Sequence, residues 1–161
     1  MHAVGLLTLV VLAAFAAPRA AHAADCSSQN GGGNWDVASA WSCGMAPGPG
    51  DNVTITAGNT VTINTTNPQI VWAGRQLTIE GTLIMIDGAY IDANWSTSKV
   101  TMGANGVVKT ADANGLTGSG SFDATFGTAW YASGTIEYNG EDQAISAGTY
   151  QNLIISGSGT K

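Results

Sequence analysis

Basic residues are scarce in this chain: five Lys and Arg stand against eleven Asp and Glu, and no two of the five are adjacent. Scattered bases cannot displace the counterions of a nucleic acid, which takes clustered Lys and Arg, and they do not hold an anionic lipid surface. Histidine is scarcer still. His2 and His22 both lie in the first 23 residues, so beyond residue 23 no Ser-His-Asp or Cys-His relay and no His-ligated zinc can be assembled. Helical periodicity is missing as well, since no stretch beyond that point keeps an apolar repeat of 3.6 residues. What abounds is Gly, Thr, Ser, Asn and Ala, the composition of a turn-rich β-protein.

The first 23 residues read as a secretory signal peptide. Residues 6–17 form an uncharged apolar run too short to anchor in a bilayer, followed by Pro18, Arg19 and the small-residue cleavage signal Ala21-His22-Ala23. Cleavage there leaves 138 residues with four bases, Arg75, Lys99, Lys109 and Lys161, and a side-chain charge of −7. The expected location is secreted, extracellular or cell-surface, with no membrane insertion after cleavage. In an oxidising compartment the two remaining cysteines, Cys26 and Cys43, are expected to form a disulfide. Their separation of 17 residues corresponds to about 3 kcal/mol of stabilisation from lost chain entropy.

Beyond residue 52 the chain becomes a ladder of short rungs: Val53-Thr54-Ile55, Val61-Thr62-Ile63, Leu77-Thr78-Ile79, Leu83-Ile84-Met85, Val100-Thr101-Met102 and Val107-Val108-Lys109. Alternation places the outer residues of each triplet on the core face and the middle residue outside. The rungs recur: Ile55 to Ile79 is 24 residues, Ile79 to Met102 is 23, Ile63 to Met85 is 22 and Met85 to Lys109 is 24. A coil of that length with two or three short strands predicts an all-β chain folded as a short right-handed parallel β-helix, with a β-sandwich as the alternative. Gly58-Asn59, Glu80-Gly81, Asp87-Gly88 and Asn105-Gly106 supply the corners. The ladder weakens over residues 109–131 and recovers at 134–140 and 150–155. The division expected is a signal peptide (1–23), an N-terminal cap with the disulfide and a Trp35/Trp41 plug (24–52), and β-helix coils (53–161) truncated at the C-terminus.

The run W-D-x-x-x-x-W-S, then P-G-P-G-D-N-V-T-I, G-N-T-V-T-I and L-T-I-E-G-T-L resembles the opening coils of bacterial secreted right-handed β-helix proteins. It is also similar to the eight-glycine extracellular domain of animal cell-surface and hyaluronan-related proteins. The tail GTIEYNGEDQAISAGTYQNLIISGSGTK resembles a segment of large adhesin-like bacterial surface proteins. These resemblances imply a solenoid outside the cell and leave activity open, because such families hold adhesins, polysaccharide binders and enzymes.

Candidate sites follow from residue chemistry. Trp72, Trp95, Trp130 and Tyr131 fall in the less regular segments, where an aromatic face could stack on a sugar ring. Asp87, Asp92, Asn94, Asp112 and Asn114 offer hard oxygen ligands on loops, so calcium is the one cofactor the chain could take. Asp87 and Asp92 are also the carboxylates a glycosidic hydrolysis would need, although Asp beside a turn glycine usually caps the turn. The pairs Thr54/Thr56 and Thr60/Thr62 would suit ordering of ice-like water if they recurred, but later rungs carry Ile84 and Val108 instead. No catalytic residue is assigned.

The expected function is a secreted or cell-surface β-helical structural or adhesive module without catalysis. The alternative is a carbohydrate-binding module or a truncated polysaccharide-active enzyme. The partner would be an extracellular polysaccharide or cell-surface glycan, not a nucleic acid. The uncapped strand within residues 150–156 is expected to self-associate. With no histidine after residue 23, zinc and nickel should leave the melting temperature of the exported chain unchanged. A chelator-sensitive melting temperature restored by zinc would contradict this; restoration by calcium alone would point to the Asp loops.

Overall fold

The computed structural model describes residues 24–48, 50–66, 75–92, 99–116, 120–122 and 133–161. Within them the chain is a parallel β-solenoid of about four turns. Among the described residues the first four coils each contribute one strand to each of two sheets, and two later strands extend only the larger sheet. The four-stranded sheet stacks β1 (Asp25–Ser27), β3 (Asn52–Ile55), β5 (Gln76–Ile79) and β7 (Lys99–Met102) in that order. The six-stranded sheet stacks β2 (Gly32–Asn34), β4 (Thr60–Ile63), β6 (Thr82–Met85), β8 (Val107–Thr110), β9 (Thr135–Tyr138) and β10 (Asn152–Ile155). Every pairing between these strands is parallel, which rules out the β-sandwich alternative with its antiparallel sheets.

Register turns the rungs into columns. On the inner face of the four-stranded sheet Cys26, Val53, Leu77 and Val100 lie one above another, beside Ile55, Ile79 and Met102. The facing sheet stacks Val61, Leu83, Val108 and Ile136 beside Ile63, Met85, Thr110 and Tyr138. All of these are buried, and each large apolar side chain so buried contributes about 1.5–3 kcal/mol. A single coil has nothing to bury these side chains against; stacking supplies the neighbour above and below.

One rung departs from the sequence reading. Val107 and Lys109 were expected on the core face, with Lys109 following Met85. Instead Val108 and Thr110 point inward, Thr110 pairs with Met85, and Val107 and Lys109 face outward. Burying the Lys109 ammonium among Met85 and Tyr138 would be costly, whereas the Thr110 hydroxyl finds a buried partner in the Ser121 hydroxyl at 2.6 Å. Ser121 leads into the bridge between Phe122 and Ile91, both fully buried.

The corner into the six-stranded sheet is tight and repeats from coil to coil. The amides of Thr82, Val107 and Thr135 donate to the carbonyls of Asn59, Gly81 and Gly106, each at 2.9 Å. Gly81, Gly106 and Gly134 therefore stack, and at Gly106 a Cβ would run into the Ile79 carbonyl oxygen. Backbone approach, not φ, demands glycine at Gly81 and Gly106, while Gly134 has a positive φ as well. We expect Gly106→Ala to destabilise the chain by about 1–3 kcal/mol, the usual cost of overpacking, read as a lower denaturant midpoint with an unchanged slope. A glycine at an open corner serves as control. Gly48 has no atom within 4 Å of an added Cβ and no positive φ, so Gly48→Ala should change little.

Candidate functional site

The solenoid opens on a cap built from its own first residues. Cys26 and Cys43 are bridged, with Cα atoms 5.1 Å apart. Trp35 and Trp41 are buried and meet edge to face with centroids 4.9 Å apart. Their indole N–H groups donate to the Pro47 and Trp35 carbonyls at 3.3 and 2.8 Å, so neither ring is offered to a ligand. Asp51 clamps the cap: its two carboxylate oxygens accept from the Ala24 and Gly48 amides, each at 2.9 Å.

The outer face of the four-stranded sheet carries two polar columns. Ser27, Thr54, Thr78 and Thr101 are in register, and beside them run Asp25, Asn52, Gln76 and Lys99. These side chains brace one another along the axis. Asn52 Nδ2 donates to Asp25 Oδ1 at 2.9 Å, the Gln76 amide to Asn52 Oδ1 at 3.2 Å, and Gln76 Nε2 to the Thr78 and Thr101 hydroxyls at 3.2 and 3.3 Å. The Thr78 and Thr101 hydroxyls are therefore held by Gln76, and all four hydroxyl residues of the column remain at least partly exposed. At its edge the corner residues Ala57, Glu80, Gly103, Ala104 and Asn105 line a depression of about 240 Å³. Only one threonine column runs the height of this sheet, so the paired array weighed for ice-like water does not form here. The sequence held the signal in the 24- and 23-residue steps from Thr54 to Thr78 to Thr101, but the bracing by Asn52 and Gln76 appears only once the register is fixed.

The outer face of the six-stranded sheet is mixed. Thr62, Ile84, Lys109, Glu137 and Ile154 form one column. Lys109 Nζ lies 2.8 Å from Glu137 Oε2, and the Ser156 hydroxyl donates to Glu137 Oε1 at 2.7 Å. The hydrogen bond from Lys109, then that from Ser156, hold the Glu137 carboxyl below its ordinary value against an opposing desolvation.

The acidic candidates act first as turn caps. Asp87 Oδ1 accepts from the Ala113 amide at 3.2 Å, linking successive coils, and Asp112 Oδ1 accepts from the Asn114 amide at 2.8 Å. Asp87 lines a second depression, of about 400 Å³, together with Glu141 and Asp142. Asp142 is engaged there with the Thr160 amide at 2.7 Å. Among the described residues no three His, Cys, Asp or Glu converge as a metal group. Asp92 closes the Ile91 segment, and Asn94 lies outside the described residues. The aromatic candidates Trp72, Trp95, Trp130 and Tyr131 all lie outside them too. Sequence reasoning passed over Gln143, which is buried and ties two coils: its Nε2 donates to the Thr110 and Asp112 carbonyls at 2.9 and 3.1 Å, and its Oε1 accepts from the Gly140 amide at 2.6 Å. Nothing in its local sequence distinguishes it from a surface glutamine.

Comparison with known proteins gives a match to the G8 domain family over residues 40–114. That span is just under half of the chain and covers β3 to β8, the most regular coils. No curated protein and no solved structure matches the chain. The G8 match agrees with the eight-glycine resemblance and, with the disulfide, fits an extracellular module. It does not bear on the resemblance to adhesin-like β-helix proteins. Among the described residues no helix is long and apolar enough to cross a membrane.

The ion pair yields a pH test. A lowered folded pKa makes the stability contributed by Glu137 fully present above the ordinary glutamate range and lost as pH falls through the lowered value. Glu137→Gln should therefore cost less than about 1 kcal/mol near neutrality, as ion pairs that keep contact with solvent do. The gap to the parent should close on acidification and shrink with added salt. A gap unchanged between neutral pH and the acid end of the folded range would refute the assignment.

Proposed function

We propose that this chain is a secreted or cell-surface β-solenoid module, non-catalytic, that serves as a rigid spacer and makes adhesive contact through the outer face of its four-stranded sheet. The observation that carries the reading is the hydroxyl column Ser27, Thr54, Thr78 and Thr101, in which Gln76 braces Thr78 and Thr101. A hydrogen-bonding face held by its own side chains loses little rotamer freedom when a polar ligand docks, which favours binding. Donors and acceptors repeat at the strand spacing of about 4.8 Å, so the matching partner is a long hydroxyl-rich chain, an extracellular polysaccharide or cell-surface glycan. The non-catalytic part is supported by how the carboxylates are used: Asp51, Asp87, Asp112 and Asp142 each accept from backbone amides that shape a turn or join coils.

A glycan array probed with the exported chain tests this. Binding should fall about tenfold or more in a Thr78→Lys, Thr101→Lys double variant, the loss of two or so polar contacts, and should survive Trp95→Ala and Trp130→Ala. The reverse pattern would transfer the site to the aromatic residues and make the chain a carbohydrate-binding module of the stacking kind. Turnover of an acidic polysaccharide that Asp92→Ala abolishes would make it an enzyme. If no glycan is retained, the adhesive part of the reading fails and the spacer remains.

A further inference from the structure

The outer face of the four-stranded sheet holds a third column beside the hydroxyls. The Glu80 amide donates to the Ile55 carbonyl and the Gly103 amide to the Ile79 carbonyl, each at 2.9 Å. The register of β3, β5 and β7 therefore runs on for one more residue, and Thr56, Glu80 and Gly103 stack. Thr56 is spent on the fold, its hydroxyl donating to the Ser28 carbonyl at 3.1 Å. Above Glu80 the column has no side chain, because the next residue in it is Gly103. That gap is the depression of about 240 Å³ bordered by Ala57, Ala104 and Asn105.

The backbone does not require glycine at position 103. Its φ lies outside the left-handed region, and a Cβ there would meet Glu80 Cγ, the Ile79 carbonyl oxygen and Glu80 Cα at 3.5, 3.6 and 3.7 Å, ordinary van der Waals distances. At Gly106, by contrast, a Cβ would run into the Ile79 carbonyl oxygen. The fold would accept a side chain at 103, and its absence keeps the space over Glu80 open. Two polar groups border that space with no partner of their own. Among the described residues no group donates to the Glu80 carboxylate, and the Asn105 carboxamide makes no hydrogen bond. The carboxylates of Asp51, Asp87, Asp112, Asp142 and Glu137 are all engaged.

We infer that this hollow receives one amine-bearing sugar residue, so that the glycan held by the sheet is a polymer of deacetylated amino sugar. The inference rests on the reading of the hydroxyl column as a glycan face and names the ligand of that face. The hollow is smaller than the roughly 300–1,000 Å³ of sites that enclose a drug-sized ligand, so it takes a unit of a chain and not a whole oligosaccharide. An ionised carboxylate accepts most strongly from a charged N–H donor. A uronic acid would instead bring like charge to Glu80, and to a chain with eleven acidic residues against five basic ones. Lys99 does not reverse this: it pairs with Gln76, four residues or about 13 Å along the strand from Glu80, beyond the Debye length of about 8 Å at physiological ionic strength. Thr78 and Thr101 lie two residues, about 7 Å, from Glu80 and Gly103, where the next sugar of the chain meets their hydroxyls.

The experiment measures binding of the full exported chain to a deacetylated glucosamine oligomer, its N-acetylated counterpart, a neutral glucan and a uronic-acid polymer. The deacetylated oligomer should bind about tenfold or more tightly than the acetylated one, the worth of one charge-assisted hydrogen bond, and the excess should shrink with added salt. Glu80→Gln keeps the shape and removes the charge, so the excess should vanish while the neutral glucan is held as before. Gly103→Val fills the hollow and should weaken the deacetylated oligomer with the melting temperature near the parent's. Asp36→Asn removes the same unit of charge from an exposed residue just after β2 and should leave the excess intact. An excess that falls equally with Asp36→Asn and Glu80→Gln belongs to net charge and overturns the inference. Equal binding of the two oligomers, or preference for the uronic-acid polymer, overturns it as well. In those cases retention of the neutral glucan leaves the hydroxyl-column reading standing, whereas retention of no glycan overturns both.

Discussion

The structure rests on stacking in register. A strand of four residues is too short to be stable alone, and a single coil has no interior. Each rung is held only because its inward pair lands on the inward pair of the coils above and below, as Ile55 lands on Ile79 and Ile79 on Met102. Hydrogen bonding and burial are thereby fixed together, since a slip of one residue would exchange the apolar columns for the threonines. The corners serve the same end. Gly81, Gly106 and Gly134 bring backbones close enough for the next coil to start at the right height, and Asp51, Asp87 and Asp112 fix the turns that precede it.

Much of the fold was legible because its period is written directly in the chain. The steps of 24, 23 and 22 residues between Ile55, Ile79 and Met102, and between Ile63 and Met85, are the observed strand partners. The step to Lys109 failed for a definable reason. Val107 and Val108 are both apolar, so alternation alone offers two registers, and the choice is made by contacts remote in sequence. Lys109 goes outward to Glu137, and Thr110 goes inward to the Ser121 hydroxyl. Ser121 lies where the ladder weakens, and Glu137, although in a recognisable rung, meets Lys109 only once the register is fixed.

The candidate site was less legible than the fold. Hydroxyls on alternate strand positions are ordinary surface residues in sequence, and they become a surface only when the register lines up Ser27, Thr54, Thr78 and Thr101. The acidic loop residues carried the chemistry of a calcium site and of turn capping alike, and composition cannot choose between them. Geometry shows which amides the carboxylates accept from. It also shows why Gln143 matters: a buried amide that meets two carbonyls of an earlier coil and the Gly140 N–H of its own turn joins the two.

The starts of successive strands in the six-stranded sheet lie 28, 22, 25, 28 and 17 residues apart (Gly32, Thr60, Thr82, Val107, Thr135, Asn152), while the ladder is unbroken. The sheet thus constrains where each rung sits and leaves the length of the intervening segment free. Such a solenoid can gain or lose residues between rungs without renegotiating its interior. Sequence drift in this molecule should accumulate as changes of loop length rather than of rung pattern, and grafted peptides should be accepted there more readily than point substitutions are accepted in the columns.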